Sequence, residues 1–223
     1  WDQGSALMMQ KVGYKALATT SAGFAQTLGK VDGEVTLDEK VEHCRALCKI
    51  VDIPVSADFE NGFADSPEEA AGNILKAAGA GIVGCSIEDY SGSEIYDFDL
   101  SVERISACAE AVATLSFPFI LTARSENLIR GIQDLDDTIK RLQAYEAAGA
   151  DVLYAPGLRT PDQVKQVLAS LNKPINVLSP FMPDVSLQQY QALGVRRISL
   201  GVAIASYAVG ASTNVAKEIL ESG

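Results

Sequence analysis

Carboxylates recur in this chain where extended runs give way to polar loops, and their spacing is its first chemical signal. One group reads Ala57-Asp58-Phe59-Glu60-Asn61-Gly62 and a second reads Ile87-Glu88-Asp89, each closing a short run of small and β-branched residues. A third run, Leu121-Thr122-Ala123-Arg124, ends on a guanidinium, and a further acid, Asp32, lies in Gly29-Lys30-Val31-Asp32-Gly33-Glu34. Alternate side chains of a strand share a face, so Asp58 and Glu60 are expected to point the same way. Three or four carboxylates gathered in a partly buried place with one arginine cannot all stay ionised without a cation. Their hard oxygens suit Mg²⁺, with Mn²⁺ as a substitute. The alternative is a plain salt-bridge network with Arg124 and nearby lysines; the repetition of acids at successive strand ends favours the metal.

Such a site needs strands side by side. From residue 16 onward, short apolar runs alternate with amphipathic stretches, the mark of repeated βα units and a parallel sheet. Candidate strands cover 16–21, 54–60, 81–89, 118–124, 151–157, 174–179 and 197–201, with helices near 36–50, 67–79, 101–114, 134–148, 161–171, 186–193 and 204–221. Helix starts carry capping residues at Thr36 with Asp38, at Ser66-Pro67-Glu68-Glu69 and at Thr160-Pro161-Asp162. Ala-Gly-Ala at 78–80 and 148–150 and Leu-Gly-Val at 193–195 place a glycine where a left-handed cap is expected to lead into the next strand. The alternation predicts a (β/α)8 TIM-type barrel, a single domain over residues 1–223, with its chemistry at the C-terminal rim. Seven strands are one short of closure and the chain opens directly into a short helix, so the first strand is expected upstream of residue 1. An open doubly wound sheet is the other fold with this alternation, but no phosphate-binding glycine fingerprint follows a first strand.

Composition narrows the function classes. Of 223 residues, 48% are hydrophobic and 21% charged, a soluble globular balance, and no apolar run is long enough to span a membrane. A net charge of -11 argues against nucleic acid and anionic lipid as partners. Cys44, Cys48, Cys85 and Cys108 make no disulfide framework, and a reducing cytoplasm fits them. Cys44 and Cys48 beside His43 lack a second pair at zinc spacing and are read as a packed helix face.

With these residues in view, the chain resembles the isocitrate lyase and phosphoenolpyruvate mutase superfamily over essentially its whole length. The likeness runs through Trp1-Asp2 with Gly4-Ser5-Ala6, Thr19-Thr20-Ser21-Ala22-Gly23, Gly29 with Asp32-Gly33, the two acidic motifs, Ala123-Arg124, Tyr145-Glu146-Ala147-Ala148-Gly149-Ala150-Asp151 and Pro174-Ile175-Asn176-Val177-Leu178. The resemblance implies a phosphonomutase-like member. Asp58 would be the direct metal ligand, with Glu60, Glu88 and Asp32 holding metal-bound waters. Arg124 would pair with the substrate carboxylate, and the backbone at Ser21, Ala22 and Gly23 would bind the substrate's anionic end. The implied chemistry breaks or rearranges a C–C or P–C bond of a small 2-oxo or 2-hydroxy carboxylate through an enolpyruvate-like intermediate. Asn176 is read either as facing the barrel mouth or as filling the barrel. Superfamily members exchange their final helices between subunits, which implies a homodimer or homotetramer.

The departures from the family pattern matter as much. Where isocitrate and methylisocitrate lyases carry Lys-Lys-Cys-Gly-His, this chain reads Asp89-Tyr90-Ser91-Gly92-Ser93-Glu94-Ile95-Tyr96-Asp97, without thiol or imidazole. Tyr90 and Tyr96 are the available proton donors, the segment is expected to be mobile, and Cys85 belongs to the core. The family's Gly-Tyr-Gly after the first acidic motif is replaced by Gly62-Phe63-Ala64. A 2-methylisocitrate lyase-like enzyme and a barrel without turnover, binding a carboxylate or serving as an assembly subunit, are the competing readings.

Overall fold

The computed structural model describes residues 1–222. Seven strands, β1 (Leu17–Ala18), β2 (Val55–Asp58), β3 (Gly84–Glu88), β4 (Ile120–Arg124), β5 (Val152–Tyr154), β6 (Ile175–Leu178) and β7 (Arg197–Ser199), pair in sequence order. Every pairing is parallel, so each strand must be followed by a crossover. The result is a nearly closed α/β barrel in which β1 and β7 are the two ends of the sheet.

The helices are α1 (Gln3–Val12), α2 (Ser21–Thr27), α3 (Leu37–Cys48), α4 (Pro67–Ala78), α5 (Phe98–Ala113), α6 (Leu135–Ala147), α7 (Pro161–Ala169), α8 (Leu187–Leu193) and α9 (Ala203–Ser222). Their starts follow capping chemistry. Thr36 and Glu39 form a reciprocal capping box on α3, and the side chains of Ser66 and Thr160 cap α4 and α7 ahead of a proline. Leu47, Ile74, Ile105, Leu142, Val164 and Tyr190 on successive helices join Val55, Cys85, Leu121, Leu153 and Ile175 on the strands in one buried core. Each such side chain contributes about 1.5–3 kcal/mol by leaving water.

Three expectations change. Residues 21–27 are a helix rather than the end of a strand and a turn, because Thr20 caps it by accepting the Gly23 N–H. Strand β2 ends at Asp58, and Glu60 takes a left-handed backbone at φ 49°, so strand alternation does not set its direction. Gly149 and Gly194 are left-handed as expected, but Gly79 stays right-handed at φ -63°. The reversal after α4 falls instead on Gly81 at φ 107°, where a Cβ would come within 3.0 Å of Cys48.

Helix α9 buries only Ala205 over its 20 residues, while Tyr207, Val209, Val215, Ile219 and Leu220 stand exposed. Among the described residues no helix is long and apolar enough to cross a membrane.

Candidate active site

Strand register builds the site. Glu88 pairs with Arg124, Arg124 with Tyr154 and Tyr154 with Asn176, so these residues occupy one level around the barrel. Asp58 pairs with Ser86, two residues short of Glu88. Above this level opens a cavity of about 920 Å³, lined among others by Asp32, Asp58, Glu60, Glu88, Arg124 and Tyr154. Thr20, Ser21 and Ala22 form part of its wall, whereas Gly23 and Asn176 do not reach it. Asn176 lies in the barrel interior, where its amide donates to Ser199 Oγ at 2.9 Å, so it fills the barrel rather than facing the mouth.

Among Asp32, Asp58, Glu60 and Glu88, Asp58 is the most heavily held. Ser21 donates to it through both backbone N–H and hydroxyl at 3.1 and 3.0 Å, and Arg124 Nη1 donates at 2.9 Å. The N-terminal turn of α2 therefore grips Asp58 directly. Burial works to raise this carboxyl, but the charges of Arg124 and Lys40 and the Ser21 hydrogen bonds outweigh it and hold it below the ordinary range.

Its neighbours go the other way. Burial, with Asp58 and Asp32 adding repulsion, pushes Glu60 up to about 7 against the pull of Lys40 and Arg124. Burial, then repulsion from Glu126 and Asp58 against the attraction of Arg124, takes Glu88 to about 8. One guanidinium does not neutralise this cluster, and Glu60 Oε1 is buried without a hydrogen-bond partner.

Glu126, Lys40 and Arg130 carry no signal in the sequence. Glu126, wholly buried, accepts from Arg124 at 2.7 Å and from Arg130 at 3.1 Å, bridging two cations. Lys40, also fully buried, reaches Thr19 Oγ1 at 3.3 Å, and the same oxygen accepts the Asp58 N–H at 2.9 Å. Asp89, adjacent to Glu88, braces the rim from behind by accepting from Tyr145, Arg141 and the Glu126 N–H at 2.5, 3.2 and 2.8 Å.

Residues 89–97 form a hydrogen-bonded turn, with a bridge between Tyr90 and Ile95 and the Tyr96 N–H donating to Asp89 O at 2.9 Å. Tyr90 lines the cavity, whereas the Tyr96 hydroxyl donates to Asp65 and accepts from Asn61, which removes it as a proton donor to a ligand there. Arg104, fully buried, donates to the carbonyls of Asn61, Ala64 and Asp65 and so ties down the loop after β2. That loop needs a tie, because Glu60, Gly62 and Phe63 all have positive φ.

A magnesium ion fits these donors. All are hard oxygens, and Mg²⁺ usually takes one or two carboxylates and keeps several waters. Among the described residues no three His, Cys, Asp or Glu side chains converge closely enough to hold one ion directly. Asp58, Glu60 and Glu88 are therefore not a direct ligand triad as they stand; Arg124 lies between Asp58 and Glu88 at 2.9 and 3.1 Å.

Comparison with known proteins agrees with this fold. A crystal structure from Burkholderia cenocepacia J2315, described as a lyase/mutase, is 47% identical with a TM-score of 0.96, covering 99% of this chain and 81% of that one. The 2-methylisocitrate lyase of Escherichia coli K12 is 29% identical over 76% of this chain and 60% of its own length. Phosphonopyruvate hydrolase in complex with oxalate and Mg²⁺, at 22% identity, shares the fold with a TM-score of 0.88, covering 100% of this chain and 81% of its own. The sequence profile described as phosphoenolpyruvate phosphomutase matches residues 1–220, and with the carboxylate-lined barrel rim this places the chain in the phosphoenolpyruvate phosphomutase family of the isocitrate lyase superfamily of enzymes.

Proposed function

We propose that this chain is a magnesium-dependent enzyme that cleaves or rearranges a C–C or P–C bond of a small 2-oxo or 2-hydroxy carboxylate. The observation that carries the reading is the single cavity that collects Asp32, Asp58, Glu60 and Glu88 around Arg124. Asp58, kept anionic by Ser21 and Arg124, is the proposed direct ligand, and Glu60, Glu88 and Asp32 are the proposed holders of metal-bound water. When bound, magnesium supplies Lewis-acid stabilisation of negative charge developing on the 2-oxo oxygen.

The chain's own groups do the rest. Arg124 is the proposed partner of the carboxylate next to the reacting carbon, oriented by Glu126 behind it. Ser21 fixes the oxygen of Asp58 that it touches, and the Tyr154 ring lines the cavity 5.2 Å from the Arg124 guanidinium. Pre-set charges of this kind act where charge develops and cost no reorganisation during reaction.

The test is a panel of 2-oxo and 2-hydroxy acids, including oxaloacetate and phosphonopyruvate, assayed with Mg²⁺ and with chelator. Turnover of at least one small 2-oxo acid, lost on chelation, is expected. Carboxylate binding without turnover of any would replace the enzyme by a ligand-binding barrel.

A further inference from the structure

The two guanidiniums at the cavity differ in how fully they are engaged. Arg124 places all three nitrogens on carboxylates, Nη1 on Asp58, Nε on Glu126, and Nη2 on both Glu126 and Glu88, within 3.1 Å. Arg130 gives Nε and Nη2 to one oxygen, Glu126 Oε2, at 3.2 and 3.1 Å. Its Nη1 has no hydrogen-bond acceptor among the described residues, and its side chain is 39% exposed against 12% for Arg124. The guanidinium lies 3.7 Å from the centre of the Tyr90 ring, and both residues line the cavity. Stacking on an aromatic face leaves the edge of the guanidinium fork free to meet an anion while fixing its plane.

Charge points the same way. Arg124 is outnumbered by three carboxylates, whereas Arg130 has only a share in the buried Glu126. An incoming anion therefore finds its uncommitted positive group at Arg130, one carboxylate beyond Arg124. The cavity lining also includes Ile129, Leu178 and Phe181, which suit a short apolar spacer; Arg159 stacks on Phe181 at 4.8 Å but does not line the cavity.

We propose that Arg130, backed by Tyr90, is the specificity-determining contact for a second anionic group, a carboxylate or phosphonate at the far end of the substrate from its 2-oxo carboxylate. This rests on the reading of the cavity as a metal-dependent 2-oxo acid site. It makes the preferred substrate a two-ended anion and gives residues 89–97 a part in recognition through Tyr90, in place of the thiol they lack.

The experiment measures binding by calorimetry in Mg²⁺ for oxalate, which has no distal group, and for malate and 3-phosphonolactate, which carry a distal carboxylate and phosphonate. Wild type is compared with Arg130→Met and Arg130→Lys. Arg130→Met leaves Glu126 paired with Arg124, and Arg130→Lys keeps the charge, so a folding defect in one is controlled by the other. Loss of a charge-assisted hydrogen bond predicts about 10- to 100-fold weaker binding of the preferred two-ended ligand to Arg130→Met. Oxalate should stay within about twofold, and Arg130→Lys should recover part of the loss because its charge remains without the fork. Whichever of malate and phosphonolactate loses more identifies the distal group. Equal losses for oxalate and the two-ended ligands, or no loss for either, overturn the assignment while leaving the cavity reading intact. If wild type binds none of the three, both fail.

Discussion

The single histidine gives the structure a pH-dependent stability that can be isolated cleanly. His43 is buried on α3 with its ring stacked on Phe24 of α2, centroids 3.8 Å apart and planes 17° from parallel. Burial, then the charge of Lys40, drive the imidazole down from 6.5 to about 3. The unfolded chain takes up a proton below pH 6.5 that the folded chain refuses, so stability falls as pH drops through that value, until the folded group protonates near 3. At pH 5 the gap of about 1.5 pH units below the unfolded value corresponds to about 2 kcal/mol, and above pH ~7.5 it vanishes. Glu60 at about 7 and Glu88 at about 8 act oppositely, since raised carboxyls bind protons more readily when folded and favour the fold as pH falls. A difference measurement separates them: urea unfolding of wild type and His43→Leu at pH 8 and pH 5. The variant's stability relative to wild type should improve by about 2 kcal/mol between the two pH values. The one imidazole signal in the proton NMR spectrum should not titrate above pH ~4. A signal titrating near 6.5, or a stability difference independent of pH, would refute the reasoning. The stack supports α2, whose Ser21 grips Asp58, so the same protonation would loosen the site.

Arg104→Met should cost about 3 kcal/mol or more in chemical denaturation, because it strips a buried cation from three carbonyls of the loop that carries Glu60; a loss under about 1 kcal/mol would show that the loop holds itself. Light scattering at micromolar concentration should report a dimer or tetramer, since α9 leaves Tyr207, Val209, Val215, Ile219 and Leu220 exposed; a monomer would contradict this. For 2-methylisocitrate, kcat/KM should lie at least about 100-fold below that for oxaloacetate or phosphonopyruvate under the same Mg²⁺ conditions, because residues 89–97 supply no thiol or imidazole as acid. A preference for 2-methylisocitrate would restore the ordinary lyase.

The strands and the acids at their ends were legible because both rest on local pattern. A parallel barrel puts every strand's C-terminus on one rim, so Asp58, Glu88 and Arg124 meet there whatever the loops do. Alternation failed for Glu60 because β2 stops two residues earlier and the chain turns left-handed, held by Arg104 from a distant helix. Helix α2 was hidden because seven residues with an internal glycine give too short a period to read. Lys40, Glu126 and Arg130 carried no signal, since a lysine in an amphipathic helix and an acid and a base four apart in a loop look like solvated surface. Only the tertiary fold buries Lys40 beneath Asp58 and encloses Glu126 between two guanidiniums. Asn176 shared the rim level of its neighbours, but the partner that claims it, Ser199, lies on a strand 23 residues away.

Asp58 is the proposed magnesium ligand, and calorimetric titration of Mg²⁺ into wild type and Asp58→Asn tests that role. Asparagine keeps the shape and can still accept from Ser21, so the circular dichroism spectrum should be unchanged. Removing an acid held below the ordinary carboxylate range should weaken Mg²⁺ binding by at least about tenfold and abolish turnover on any substrate found. Wild-type Mg²⁺ affinity in a folded Asp58→Asn protein would contradict the account.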